Sequence, residues 1–113
     1  MARYDFGVGA ERVLAIGGLY VGEHLVRISR GRAYVHIPKK AVEGFTSRKV
    51  KVLARVNANR CEDRSVHGSM LSFPATLVEA GGTYRLNIPA YYLSLVSKIA
   101  TCGSLELWLA PRG

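Results

Sequence analysis

The sequence predicts a mainly β protein with short helices, in which two strand-strand-helix-strand (ββαβ) copies close one small pseudo-two-fold β-barrel. Three observations predict it: an internal repeat, apolar residues alternating with a period of two, and a length that suits one domain. Gly31-Arg32-Ala33-Tyr34-Val35-His36-Ile37-Pro38 aligns without a gap on Gly82-Thr83-Tyr84-Arg85-Leu86-Asn87-Ile88-Pro89, an offset of 51 residues at which Gly, Ile and Pro coincide. The chain has 113 residues, 49% of them hydrophobic and 21% charged, a globular composition that excludes a disordered basic tail or a collagen-like fibre. A chain of this length buries only about two-thirds of its unfolded surface. Neither copy is expected to cover both faces of its sheet alone, and interlocking the two also removes free sheet edges.

Residues 1–22 lie outside the repeat and are expected to add one or two strands. Their longest apolar stretch, Val13 to Val21, is broken by Gly17 and Gly18 and falls short of the roughly 20 residues that span a bilayer. Met1-Ala2-Arg3-Tyr4-Asp5 lacks the basic-apolar-small order of a secretory signal, so a cytoplasmic protein, nucleoid- or ribosome-associated, is expected. The first copy, residues 23–56, opens with His24-Leu25-Val26-Arg27-Ile28-Ser29, a strand with Leu25, with or without Val26, and Ile28 inward and Arg27 outward. After the turn at Gly31, a second strand carries Val35 and Ile37 on one face and Tyr34 and His36 on the other. Pro38 ends it and opens a short helix, Lys39 to Phe45, because the missing N–H of proline costs nothing in a first helical turn. Lys49 to Val56 then alternates as a strand, Lys49 and Lys51 outward and Val50 and Val52 inward, with Leu53 on the lysine face.

Residues 57–70 are polar and form a linker that can bend. In the second copy, residues 71–113, Thr76 to Ala80 and Thr83 to Ile88 make the hairpin, and Ala90 to Ile99 a helix with Leu93 and Val96 on one face. Thr101-Cys102-Gly103-Ser104 stops that helix, and Leu105 to Leu109 closes the copy. Tyr91, Tyr92 and Trp108 are assigned to the core or to a dimer interface.

The formal net charge is +8. Residues 24–64 hold eleven Lys and Arg against three acidic residues, whereas the remainder carries five of each sign. The excess is therefore local to the first copy. A concentrated positive field attracts polyanions, of which nucleic acid is the commonest in cells, and equally serves as a solubilising surface.

Val26-Arg27-Ile28-Ser29-Arg30-Gly31-Arg32-Ala33-Tyr34-Val35-His36-Ile37-Pro38-Lys39 resembles the AbrB/MazE/SpoVT-type swapped-hairpin domains. There, a basic strand, a Gly-Arg turn, a β-run ending in Ile-Pro and a short helix follow in that order. The resemblance covers residues 24–56 and, in hydrophobic frame only, 75–109. It implies two copies interlocked in one DNA-binding barrel whose first hairpin meets the duplex, with Arg27, Arg30 and Arg32 on the contact positions. Double-psi barrels and the wider cradle-loop group share the same unit and match the geometry equally well. The second copy has Gly81, Thr83, Ala90 and Tyr91 where the first has Arg30, Arg32, Lys39 and Lys40, leaving Arg85 as its nearby cation.

Candidate nucleic-acid contacts are accordingly Arg27, Arg30 and Arg32 at the hairpin, where guanidinium forks grip phosphates or guanine edges. Lys39 and Lys40 stand at a helix start that favours anions. Arg48, Lys49 and Lys51 are expected to continue the basic stripe. Tyr34 and His36 either stack on bases or cover the barrel. The partner class is nucleic acid, double-stranded DNA favoured over RNA, with a homodimer as a further option. Neither metal nor cofactor is expected, since His24, His36 and His67 are scattered and Cys61 and Cys102, suited to free thiols or a disulfide, lack ligand spacing. Enzymatic activity is not expected: paired carboxylates and a Gly-rich phosphate loop are absent from the sequence. Gly68-Ser69 and Gly103-Ser104 resemble the bond at which some double-psi barrels cleave themselves, but lack a matching flanking motif. The chain is therefore expected to keep its intact mass of 12.4 kDa through prolonged storage; a pair of fragments divided at either Gly-Ser bond in the mass spectrum would establish self-cleavage instead.

Overall fold

Period-two alternation between apolar and polar side chains sets the longer strands with one face in the core. The computed structural model describes residues 18–112. Part of the expected N-terminal addition, residues 1–17, lies outside the described residues. The strands are β1 (Leu19–Leu25), β2 (Arg27–Ser29), β3 (Arg32–Pro38), β4 (Lys49–Asn57), β5 (Met70–Thr76), β6 (Val78–Ala80), β7 (Thr83–Ile88) and β8 (Ser104–Pro111). They form two antiparallel sheets, ordered β1-β8-β4-β5 and β2-β3-β7-β6. Ala33, Val35, Ile37, Leu86 and Ile88 of the second sheet share one core with Val50, Val52, Leu71, Phe73, Leu105, Leu107 and Leu109 of the first. The fold is mainly β, as expected. The closed barrel is not found: among the described residues the ladders make two separate four-stranded sheets.

The repeat is visible as a pairing rule. β1 pairs with β8 and β5 with β4, so the first strand of each copy joins the last strand of the other. The two inner pairs, β3 with β7 and β4 with β8, run across the pseudo-two-fold. Val35 stands opposite Leu86, a pair separated by the repeat offset of 51 residues, and Leu53 stands opposite Trp108. Each copy thus contributes one strand, β1 or β5, ahead of its strand-strand-helix-strand unit.

Several details depart from the sequence reading. Val26 is the buried residue at the start of the first hairpin, while Leu25 and Ile28 are 63% and 38% exposed. The break between β1 and β2 at Val26 resets the alternation, turning its neighbours out. The helices are shorter than expected. Lys39–Val42 is a single 3₁₀ turn, and Ala90–Tyr92, also 3₁₀, leads into α1 (Leu93–Ser97). Neither 3₁₀ turn has a side-chain cap, and 3₁₀ geometry seldom extends beyond three or four residues. Tyr92 packs on Phe73 at 5.9 Å between ring centroids, but Tyr91 is 72% exposed and outside the core. Trp108 sits on the outer face of the first sheet against Leu53, Ala110 and Met70.

The linker between copies is fastened at several points. Cys61 and Cys102 form a disulfide with their Cα atoms 5.1 Å apart. His67 Nδ1 accepts from the Ala58 amide at 3.0 Å, and the Val56 amide donates to the Ser69 carbonyl at 2.9 Å. Glu23 ties β1 to the central strands, its carboxylate accepting from Ser104 Oγ and, at 2.6 Å, from Asn57 Nδ2. Those two hydrogen bonds, Ser104's first, hold the Glu23 carboxyl below the usual carboxylate range. Gly103 makes this junction sterically exacting. A Cβ there would lie 2.5 Å from the Asn57 carbonyl oxygen and 2.9 Å from Ile99 Cβ, and the backbone oxygen has nowhere to yield. Gly103→Ala is expected to destabilise the fold by about 1–3 kcal/mol, the range for forced overpacking, read as a lowered denaturant midpoint at unchanged slope.

Candidate functional site

The β2–β3 hairpin turns through two residues, Arg30 and Gly31, between the paired Ser29 and Arg32. Both turn residues have positive φ, +53° for Arg30 and +74° for Gly31, as a type I′ hairpin turn requires. Gly31 adopts it freely. Arg30 does not: an L-residue in the left-handed region costs roughly 1–2 kcal/mol, and the equivalent residue of the second copy is Gly81 at φ +66°. The first copy thus holds an arginine at a turn position for which glycine is the unstrained choice. Such outliers concentrate where function demands the side chain.

Cross-strand register carries the site from the hairpin onto the outer face of its sheet. Arg27 pairs with Tyr34, Tyr34 with Asn87, and His36 with Arg85. Since Ala33, Val35 and Ile37 point into the core, these partners all face away from it. Arg85 lies over the Tyr34 ring at 5.8 Å, and the Tyr34 and His36 rings meet edge-on at 5.4 Å. Thr83 Oγ1 donates to the Ala80 carbonyl at 3.2 Å, which leaves that oxygen to accept from His36 Nδ1 at 3.0 Å. A shallow cleft of about 560 Å³ opens beside the hairpin, lined by Ser29, Arg30, Arg32, Tyr34, Arg85 and Asn87. Its lining contains three guanidinium groups and no carboxylate.

Arg85 and Asn87 were not among the candidate contacts named from the sequence. They belong to the near-neutral second copy, and only the register of β7 against β3 brings them to the hairpin. The available signal was Arg85 itself, standing outward between the inward Tyr84 and Leu86 positions of the aligned repeat. Its Nε is buried without a hydrogen-bond partner. An unpaired buried donor costs about 1–3 kcal/mol.

The remaining cations separate into different surroundings. Lys39 and Arg48 converge on the Glu79 carboxylate, Arg48 at 3.5 Å, and both lie 5.5 Å from the centre of the Tyr84 ring. The hydrogen bond and charge of Lys39, followed by the charge of Arg48, hold the Glu79 carboxyl below its usual range. These two cations are therefore already engaged, on the β6 side of the molecule. Lys39 opens only one 3₁₀ turn, too short to carry the helix macrodipole invoked for phosphate binding. Lys40 is exposed beside it. Lys49 and Lys51 alternate with buried Val50 and Val52 and so point outward from the other sheet, away from the hairpin face. Leu53 on their row is buried against Trp108 and Ala110 instead of extending a basic stripe. The structure thus brings together Arg27, Arg30, Arg32, Tyr34 and His36, and separates them from Lys39, Arg48, Lys49 and Lys51.

Among the described residues, no group of three His, Cys, Asp or Glu is placed to hold a metal ion, and no helix is long and apolar enough to cross a membrane. No family model, curated protein or solved structure matches the chain. What the hairpin face offers chemically is a set of fixed planar donors beside an aromatic floor, suited to oxyanions. Arg30→Gly is expected to raise stability by about 1 kcal/mol through relief of the left-handed strain while weakening polyanion binding. Paired melting and binding measurements check it, and a loss of stability or unimpaired binding would remove Arg30 from the site.

Proposed function

We propose that the protein is a nucleic-acid-binding module that docks double-stranded DNA on the β2–β3 hairpin face, as a transcriptional regulator or antitoxin-like partner would. The observation that carries this reading is the carboxylate-free cleft lined by Ser29, Arg30, Arg32, Tyr34, Arg85 and Asn87, continuous with outward Arg27. A two-stranded ribbon fits the major groove of B-DNA, and arginine at its tip suits guanine edges and phosphates. Tyr34 already holds Arg85 and the His36 ring. That engagement favours a duplex, read through its backbone and edges, over a single strand whose bases need a free stacking platform.

The exchange of first strands between copies supports an AbrB-like swapped-hairpin relationship within the cradle-loop group, with the two sheets as a flattened barrel. The cytoplasmic location belongs to the same proposal. The Cys61–Cys102 disulfide weighs against an ordinary reducing cytosol, where such bonds are rare.

Competition binding at fixed salt against duplex DNA, single-stranded DNA and structured RNA tests the reading. Duplex DNA is expected to bind tightest. Changing Arg27, Arg30 and Arg32 together to Ala is expected to lower affinity by orders of magnitude and to reduce the salt slope by about 0.9 for each phosphate left without its cation. Tighter binding of RNA would replace the regulator with an RNA-binding or ribosome-associated protein. An unchanged slope would move the interface off the hairpin.

A further inference from the structure

We propose that Arg85, from the near-neutral second copy, is the anchor of a clamp for a single phosphodiester group, completed by Arg30, Arg32 and Asn87 across the cleft. The proposal rests on the nucleic-acid reading for the source of the phosphodiester, but its geometry stands on Arg85 alone. Among the described residues the Arg85 guanidinium makes no hydrogen bond or ion pair, and its Nε is enclosed without an acceptor. It lies over the Tyr34 ring at 5.8 Å. The Nη end is what remains to face the cleft that Arg85 lines. With no carboxylate beside it and two more arginines lining the same cleft, that end suits an oxyanion, because a guanidinium fork binds phosphate through two parallel N–H bonds.

The pseudo-two-fold adds a second argument. The residues equivalent to Ser29, Arg30, Arg32 and Arg85 under the 51-residue offset are Ala80, Gly81, Thr83 and Tyr34. The β2–β3 end of the face therefore carries Arg30 and Arg32 where the β6–β7 end carries Gly81 and Thr83, and Arg85 stands between them against its own counterpart, Tyr34. Asn87 adds an amide that donates to a phosphate oxygen without competing for the arginines, as a carboxylate there would. A smaller groove of about 210 Å³, lined by Gly31, Ala33, Ile88, Ala90 and Leu93 between Arg32 and Asn87, runs on from the cleft and gives the sugar on one side of the phosphate an apolar wall.

The test uses the dinucleotide TpT, which carries one phosphodiester and cannot form a duplex, titrated into ¹⁵N-labelled protein while the arginine Nε–H and backbone amide resonances are followed. Shifts are expected at the Arg85 Nε–H and at the amides of Ser29 to Arg32 and Asn87, but not around Lys39 and Arg48. Arg85→Gln is expected to weaken TpT about tenfold, the effect of removing one charge-assisted hydrogen bond, and to lower the duplex salt slope by about 0.9. Arg85→Lys, which keeps the charge without the fork, is expected to fall between the two and serves if the glutamine variant does not fold. Shifts confined to the Lys39 and Arg48 rim, or wild-type TpT affinity in both variants, would overturn the clamp even if polymer binding persisted. TpT bound at the cleft by a protein that binds no polymer would keep the clamp and remove the nucleic-acid reading.

Discussion

Everything in this molecule depends on the pairing of each copy's inner strands with their own counterparts. β3 lies against β7 and β4 against β8, each antiparallel and each crossing the pseudo-two-fold, at Val35 with Leu86 and at Leu53 with Trp108. Neither copy has a sheet of its own beyond the short hairpins β2–β3 and β6–β7. A two-stranded ribbon is marginal in water, and it is the exchange of β1 and β5 that widens the other sheet to four strands. Folding one copy without the other would leave Val50, Val52, Leu105 and Leu107 without partners on either side. The two copies are one cooperative unit for that reason, and the disulfide and the Glu23 hydrogen bonds fasten a junction that the strand exchange has already made.

Much of this was legible in the sequence because period-two alternation is a local signal. Val35 and Ile37 inward with Tyr34 and His36 outward, and Val50 and Val52 inward with Lys49 and Lys51 outward, are set by the pleat once a strand is assumed. The offset of 51 residues located the two hairpins, and the two prolines ended the strands where expected. What failed was information that only pairing supplies. Leu25 and Ile28 look inward by hydrophobicity, yet the break at Val26 reverses their sense. The lysine row of β4 looks continuous with the hairpin arginines when written along the chain, but β4 belongs to the other sheet. One chain cannot announce which sheet its next strand will join.

The candidate site shows the same division. Arg27, Arg30 and Arg32 are neighbours in sequence and stayed together, since a two-residue turn leaves them no alternative. Lys39 and Arg48 were separated from them by Glu79, a carboxylate 40 residues downstream of the lysine, whose position opposite Tyr84 on the β6–β7 hairpin could not be read from charge counts. Arg85 entered from the copy with little net charge. Net charge described the amount of cation correctly and its location only in part, because the second sheet mixes strands from both copies.

A duplicated frame loses the need for symmetry at its surface while keeping it in its core. The residues on the axis, Val35 and Leu86, are both apolar and both buried, for replacing either with a charge would disrupt the shared core. No such constraint holds on the outer face. There, Arg30 has accepted a left-handed backbone that Gly81 adopts without strain, and Arg85 has accepted an unpaired donor at the position where the first copy carries an aromatic ring. Both costs fall on the same cleft, and only the Tyr34 ring under Arg85 offsets part of either. Two independent local penalties of about 1 kcal/mol or more converge on one carboxylate-free surface of an otherwise consistent fold, and local rules are broken in this way where a functional site is to be sought.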